Sequence, residues 1–178
     1  MKRSLGQVVT RVGPLLLLVV CATMAATGQS GTTRRDWPTY GADLASTRYS
    51  PLDQISAANF NQLEVAWRFK TDSLGPRPEY QFESTPLMAR GVVYSTAGTR
   101  RAVVALDAAT GELLWIHREV EGARGDQAPR QLSGRGLAYW SDGREERIIY
   151  VTPGYRLIAL DTKTARRSRA SARTASST

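Results

Sequence analysis

A short segment occurs twice in this chain, and this repeat limits the folds that the sequence can adopt. The first copy is ALDAATGELLW at Ala105–Trp115, and a shorter copy, ALDTKT, covers residues 159–164. Each copy follows a short apolar segment that ends in glycine, VVYSTAG from Val92 and IIYVTPG from Ile148. The equivalent tyrosines are 56 positions apart and the equivalent aspartates 54. Units of this length built from short strands are typical of β-propeller blades.

Strand and turn signals divide both units into short antiparallel strands. In the first unit we predict strands at 85–88, 92–96, 103–106 and 112–117. In the second unit we predict strands at 136–140, 147–152 and 156–160. Asp107 can hydrogen-bond its own backbone and Gly111 can supply a positive φ, so 107–111 is a tight turn. The predicted fold class is an all-β propeller of four-stranded antiparallel blades, of which about two are present.

The segments outside the repeat carry weaker signals. Leu63–Phe69 alternates apolar and polar residues, which predicts a half-buried strand, and Ser56 can cap one short helical turn before it. Residues 119–134 are charged, contain Gly and Pro and show no periodicity, which predicts a long connection of the kind that is often functional.

The basic charge lies at the two ends of the chain. The net charge is +8, but Lys2, Arg3 and Arg11 contribute three charges with no acidic residue before Gly31, and four arginines follow Thr164 without an acidic residue. The region between carries only +1 and has no stripe of basic and aromatic residues. We therefore expect no binding to nucleic acid.

The N-terminus has the pattern of an export signal. A positive segment precedes the apolar run 14–22, which is too short to span a bilayer, and small residues follow as far as Gly28. We predict a signal peptide at 1–28, a flexible linker at 29–35 and a periplasmic or secreted protein. An uncleaved membrane anchor and a lipoprotein at Cys21 are the less favoured alternatives. Removal of Cys21 leaves no cysteine for a disulfide, a zinc site or a haem attachment.

The second copy of the repeat breaks off at Thr164. The repeat calls for Gly at the next position, but the sequence has Ala165 and continues with only Arg, Ser, Ala and Thr. We expect residues 165–178 to be a disordered tail. The break inside the motif favours a frameshift or a truncated gene over a genuine basic tail.

Five elements, taken in order, resemble the N-terminal part of the quinoprotein dehydrogenases, which use pyrroloquinoline quinone (PQQ). The elements are WPTYGAD at 37–43 with RYSPL at 48–52, QI at 54–55 with Asn59 and Leu63-x-x-x-Trp67, ESTPL at 83–87, the Ala105–Trp115 segment, and RGLAYW at 135–140. The family fold is an eight-bladed propeller with PQQ on its axis. The resemblance implies that residues 36–164 are the N-terminal part of such a propeller.

The resemblance also assigns roles to individual residues. Ala105–Trp115 is similar to the tryptophan-docking motif that joins neighbouring blades, so Trp115 would lie between blades with its indole N–H on a partner such as a backbone carbonyl. Glu83 matches the acidic residue that contacts the polar edge of PQQ. Arg135 matches the arginine that holds a PQQ carboxylate, for which a guanidinium is well suited. His117 is the single histidine and is better explained as a capped or surface imidazole than as a metal ligand.

The resemblance implies an exported dehydrogenase that oxidises alcohol or aldose hydroxyl groups, with the quinone as hydride acceptor and cytochrome c or ubiquinone as electron acceptor. Peripheral association with a membrane stays open. The family's calcium ligands, catalytic Asp and stacking Trp would follow residue 164, so no catalytic or metal-binding residue is assigned here. Two blades cannot bury their faces, so we expect this chain alone to be poorly stable and inactive.

The sequence departs from the family at one point, and one alternative function stays open. Alcohol-oxidising members often have two adjacent cysteines before the arginine, whereas Ala128–Leu132 has none. This departure leaves sugar-oxidising or uncharacterised branches open. The alternative is a non-catalytic propeller of PQQ-like repeats that acts as a periplasmic scaffold or binding protein. Such a scaffold would share the Ala105–Trp115 pattern but would not need Glu83 and Arg135.

Overall fold

The computed structural model describes residues 36–132, 134 and 136–168. The predicted signal peptide 1–28 and linker 29–35 lie outside the described residues, as do Arg135 and the tail beyond Ser168. Within these residues seven strands form, at β1 Leu87–Ala89, β2 Val92–Ala97, β3 Ala102–Asp107, β4 Leu113–His117, β5 Ala138–Ser141, β6 Glu146–Val151 and β7 Leu157–Asp161. Two single helical turns are also present, a 3-10 turn at Phe60–Gln62 and α1 at Ala123–Asp126. No helix in the described part of the chain is long and apolar enough to cross a bilayer.

The strands form two antiparallel sheets in the order of the sequence. The first sheet has the order β1-β2-β3-β4 and the second β5-β6-β7. All seven strands were predicted, with ends that differ by no more than two residues. Since every neighbour in the sheets is also a neighbour in sequence, each sheet is a simple up-and-down blade. The all-β prediction is confirmed.

The first sheet is buried on both faces. Because side chains alternate along a strand, Val104 and Leu106 of β3 point to one face, and Val103 and Ala105 to the other. The Val104 face packs against the preceding segment, including Trp67. The Val103 face packs against the second sheet, through a cluster that also contains Ala89, Tyr94, Ile148, Tyr150, Ile158 and Leu160. The two sheets therefore share one apolar core.

The two turns of the repeat have the same hydrogen bonds. Oδ1 of Asp107 accepts bonds from the backbone N–H groups of Ala109 and Thr110, and from the Thr110 hydroxyl. Oδ1 of Asp161 accepts the equivalent bonds from Lys163 and Thr164. These bonds hold the pKa of both aspartates below the usual value. The predicted Asp-based turn is therefore present in both units.

Two tryptophans connect successive units through these turns. Trp67 Nε1 donates to the Ala108 carbonyl at 3.1 Å, and Trp115 Nε1 donates to the Thr162 carbonyl at 2.8 Å. Ala108 and Thr162 are equivalent positions, 54 residues apart, so both indoles bind the same point of a turn. The structure thus supplies the backbone carbonyl that the sequence predicts for Trp115. The Trp115 ring also lies 5.9 Å from the Tyr94 ring, measured between centroids.

Three local predictions differ from the structure. Leu63–Phe69 forms no strand, because it pairs with no strand in the described ranges, although Trp67 and Phe69 pack against the first sheet. Ser56 does not cap the helical turn, since its hydroxyl donates to Oδ1 of Asn59 instead. The connection 119–134 contains the helical turn α1, which its sequence does not indicate.

Residues 165–168 continue the second sheet beyond the predicted break. Ala165 has a φ of 56°, where the first unit has Gly111 at 74°. The Asp161 N–H donates to the Arg166 carbonyl at 2.8 Å, and Arg167 forms a β-bridge with Leu160. These bonds repeat those of β4 beside β3, but in the described residues they form one isolated bridge and not a fourth strand. Disorder of the tail stays a prediction for the residues outside the described range.

Candidate functional site

An open cleft of about 1180 Å³ lies where three loops meet the second sheet. One wall is the loop before β1, which contributes Arg77, Tyr80, Gln81 and Glu83. The loop before β5 forms another part of the lining, together with Arg101. The rest comes from β6 and the start of β7, through Ile149, Tyr150, Val151 and Leu157. The lining therefore combines cationic and polar groups with apolar residues of β6 and β7.

Of the two predicted site residues, the structure places Glu83 in this cleft. It also places there the two residues that flank Arg135 in the sequence. The exposed Glu83 lines the cleft, and its carboxylate accepts a hydrogen bond from Nε2 of Gln81. Arg135 itself lies outside the described residues. Gly134 and Gly136, its neighbours in sequence, both line the cleft. The binding roles of Glu83 and Arg135 stay predictions.

Arg101 makes the largest set of hydrogen bonds in the cleft. Its Nε donates to the Leu132 carbonyl at 2.9 Å, and Nη2 donates to the Arg130 carbonyl at 3.1 Å. Its Nη1 donates to the carbonyls of Val151 and Thr152 at 3.2 and 3.3 Å. Burial lowers the pKa of this guanidinium from its usual value. Arg101 thus joins the loop before β5 to the end of β6.

Tyr150 is among the lining residues, but its side chain belongs to the core shared by the two sheets. Its side chain is only 3% exposed, and burial raises the pKa of its hydroxyl. The hydroxyl has no hydrogen-bond partner among the described residues. Because this hydroxyl is shielded from solvent, it is not exposed to the open cleft. Within the described part of the chain, no three His, Cys, Asp or Glu side chains are grouped to hold a metal ion.

The start of the connection after β4 is held against the second sheet by Glu121. Its Oε1 accepts the Thr152 hydroxyl at 2.6 Å, and its Oε2 accepts the Gly154 N–H at 2.8 Å. Arg156 lies 3.8 Å from the same carboxylate. The Thr152 hydroxyl contacts Glu121 and the Thr152 carbonyl contacts Arg101. The same residue therefore supports both the connection after β4 and the cleft.

His117 lies at the junction of the two sheets. Its Nε2 is 3.3 Å from Oε2 of Glu119, and its ring meets the Tyr150 ring edge-on at 6.4 Å. Glu119 also pairs with Arg167. Burial, and then the nearby Arg167 charge, lower the pKa of His117 from 6.5. The partly buried, paired imidazole agrees with the predicted structural role.

The lowered pKa of His117 makes stability depend on pH. Below its usual pKa of 6.5 the unfolded chain binds a proton more readily than the folded chain. We therefore expect the free energy of unfolding to fall as the pH is lowered from about 7 to about 5. Because His117 is the only histidine, His117→Gln should abolish this slope. Urea unfolding at several pH values tests this, and an unchanged slope in the variant would contradict it.

Sequence reasoning missed Arg101, Arg130 and Tyr150 as parts of the cleft. Arg101 follows a glycine turn and looks like a solvated charge, yet its partners lie 29 to 51 residues further along the chain. The repeat itself gives Tyr150 a core position, which it has, but does not show that the residue lies beside a cleft. A basic residue in a turn between two predicted strands is the only available signal for Arg101.

The chain is similar to a known protein family and to known proteins. Residues 37–172 match the family described as glucose/ethanol/alcohol dehydrogenase, β-propeller domain, named PQQ. The dehydrogenase subunit of alcohol dehydrogenase (quinone) from Gluconobacter oxydans is 37% identical over 145 residues, which cover 81% of this chain and 18% of that protein.

Two solved structures are similar to the described fold. The crystal structure of quinohemoprotein alcohol dehydrogenase from Comamonas testosteroni matches with a TM-score of 0.59 and 33% identity, over 74% of this chain and 18% of that one. A europium-containing methanol dehydrogenase matches with a TM-score of 0.60 and 25% identity, over 76% of this chain and 23% of that one. This chain thus spans 18% to 23% of the length of these relatives. With the family match over most of its length, the two sheets and their tryptophan contacts, the chain belongs to the PQQ-type glucose/ethanol/alcohol dehydrogenase β-propeller family.

Proposed function

We propose that this chain is the N-terminal part of an exported PQQ-dependent dehydrogenase that oxidises CH–OH groups of alcohols or aldoses. The observation that carries the proposal is the cleft whose lining combines Arg77, Arg130 and Glu83 with apolar residues of β6 and β7. Family membership and the alcohol dehydrogenases among its relatives support the same reaction class. Cytochrome c or ubiquinone is the proposed electron acceptor.

The residues of the cleft fit PQQ chemically. PQQ is a flat tricarboxylate, and guanidinium groups bind carboxylates through charge-assisted hydrogen bonds. Glu83 would contact the polar edge of the cofactor and Arg135 one of its carboxylates. When bound, PQQ would accept a hydride from the substrate carbon.

The residues of this chain would bind and orient, and the chemistry would need groups from elsewhere in the protein. Oxidation of CH–OH to C=O releases a hydride from carbon and a proton from oxygen, so a base must accept that proton. No residue of this chain is proposed as that base. The family's calcium likewise stays a prediction, with no ligand assigned here. We therefore expect PQQ binding without turnover of alcohol or aldose.

A binding measurement tests the proposed cofactor. Quenching of tryptophan fluorescence should show that the full chain binds PQQ more tightly than benzene-1,3,5-tricarboxylate, a flat trianion without the quinone. Glu83→Gln and Arg135→Met should each weaken PQQ binding by about tenfold, the scale of one charge-assisted contact. Arg90→Met is the control, since Arg90 pairs with Glu146 and does not line the cleft. Equal binding of the two anions, or equal loss in the control, would refute the proposal.

A further inference from the structure

We propose that Arg101 is the positioning residue of the cleft, and that its guanidinium holds the loop before β5 in the shape that binds the ligand. This inference builds on the proposed function, because the ligand is taken to be PQQ. Arg101 acts through the loop and does not itself bind the ligand.

The hydrogen bonds of Arg101 connect two separate backbone segments. All four bonds of Arg101 go to main-chain carbonyls, those of Arg130 and Leu132 in the loop and of Val151 and Thr152 at the end of β6. No carboxylate in the described ranges forms an ion pair with Arg101. A planar fork with several donors can hold two separate backbone segments at a fixed distance. Arg101 therefore fixes the path of the loop backbone.

The loop before β5 fits closely around the guanidinium of Arg101. A Cβ added at Gly134 would lie 2.5 Å from Nε of Arg101, and Gly134 has a φ of 77°. Only a glycine lets the backbone pass so close in this conformation. The loop thus contacts the guanidinium at three residues, Arg130, Leu132 and Gly134.

The backbone of Arg101 has an unfavourable conformation for a residue with a Cβ. Its φ is 50°, in the left-handed region, where a glycine would be favoured over any residue with a Cβ. Strained residues are retained where the surrounding contacts require their side chain. If only the turn between β2 and β3 mattered, glycine would serve better at position 101. The four hydrogen bonds supply the reason for arginine.

The first test measures the order of the loop without any ligand. In the full chain, ¹⁵N relaxation should give amide order parameters of about 0.8 for Gln131, Leu132 and Gly134, and Arg101→Gly should lower them below about 0.6. Amides of β2 and β3 should stay ordered, because glycine relieves the strained turn. Arg90→Gly is the matched control: Arg90 also has a positive φ, of 52°, and makes one ion pair outside the cleft.

Two further variants keep this test decisive. Gly134→Ala should disorder the loop with Arg101 intact, which provides the answer if Arg101→Gly fails to fold. Arg101→Lys keeps the charge but lacks the fork, so it should disorder the loop as Arg101→Gly does. Unchanged order parameters at Gln131 and Leu132 in a folded Arg101→Gly chain would overturn the proposal.

The second test measures binding of PQQ by tryptophan fluorescence. Arg101→Gly and Arg101→Lys should both weaken binding by about tenfold or more, whereas Arg90→Gly should change it by less than about twofold. If Arg101→Lys binds as tightly as the natural chain, the charge alone acts and positioning is refuted. If the natural chain does not bind PQQ, the proposed function fails, while the order parameters still decide the role of Arg101.

Discussion

Replacing Trp115 by alanine is expected to separate the two sheets. The indole packs against the shared core and donates its N–H to the Thr162 carbonyl at 2.8 Å. Loss of a packed tryptophan and its hydrogen bond should lower the free energy of unfolding by about 3 kcal/mol. We expect the two sheets alone to have little stability to spare, so most Trp115→Ala chains should be unfolded in buffer. Urea unfolding in the presence of trimethylamine N-oxide, which favours the folded state, can recover the difference.

Two comparison variants separate the contributions to this effect. Trp115→Phe keeps most of the apolar contact but removes the N–H donor, so its cost should be about 1 kcal/mol. Trp140→Ala removes a tryptophan of the second sheet whose ring lies 5.0 Å from the guanidinium of Arg147. Its cost should be clearly below that of Trp115→Ala. Equal costs for Trp115→Ala and Trp140→Ala would show that contact between the sheets through Trp115 is not essential.

The strands and turns could be predicted because the information that determines them is local. Alternation of apolar residues defines β2 and β3, and Asp107 with Gly111 specifies a turn that the Asp107 side chain and carbonyl stabilise through hydrogen bonds to residues 109–111. The repeat then transfers the same turn to Asp161. Even the type of partner for Trp115 follows from the chemistry of a buried N–H group.

The cleft could not be predicted because it depends on contacts between distant segments. Arg101 reaches carbonyls as far away as Thr152, and nothing in its immediate sequence marks it as different from its neighbour Arg100. Leu63–Phe69 shows the opposite case: its alternation is local, but a strand also needs a neighbour with which to form hydrogen bonds. Glu83 was identified by resemblance, and the structure adds that it shares a cleft with Arg101.

Exchanging glycine and alanine between the two turns should have opposite effects on stability. Gly111 has a φ of 74°, and a Cβ there would lie 2.5 Å from Cδ2 of Trp67. Gly111→Ala should therefore cost about 1–2 kcal/mol from the backbone, with a further loss from the collision with the indole. Ala165 occupies the equivalent position with a φ of 56°. Ala165→Gly should stabilise the chain by about 1 kcal/mol, because glycine removes the strain of a left-handed alanine.

A third substitution isolates the backbone contribution from the collision. Gly91 has a φ of 78°, close to that of Gly111, and a Cβ there would meet nothing within 4 Å. Gly91→Ala should thus show the backbone cost alone, and the excess cost of Gly111→Ala measures the contact with Trp67. Free energies of unfolding from urea titration give all three values. A loss of stability in Ala165→Gly would show that the two turns are not equivalent. The second unit would then owe its shape to contacts such as that between Arg167 and Glu119, and not to the repeat.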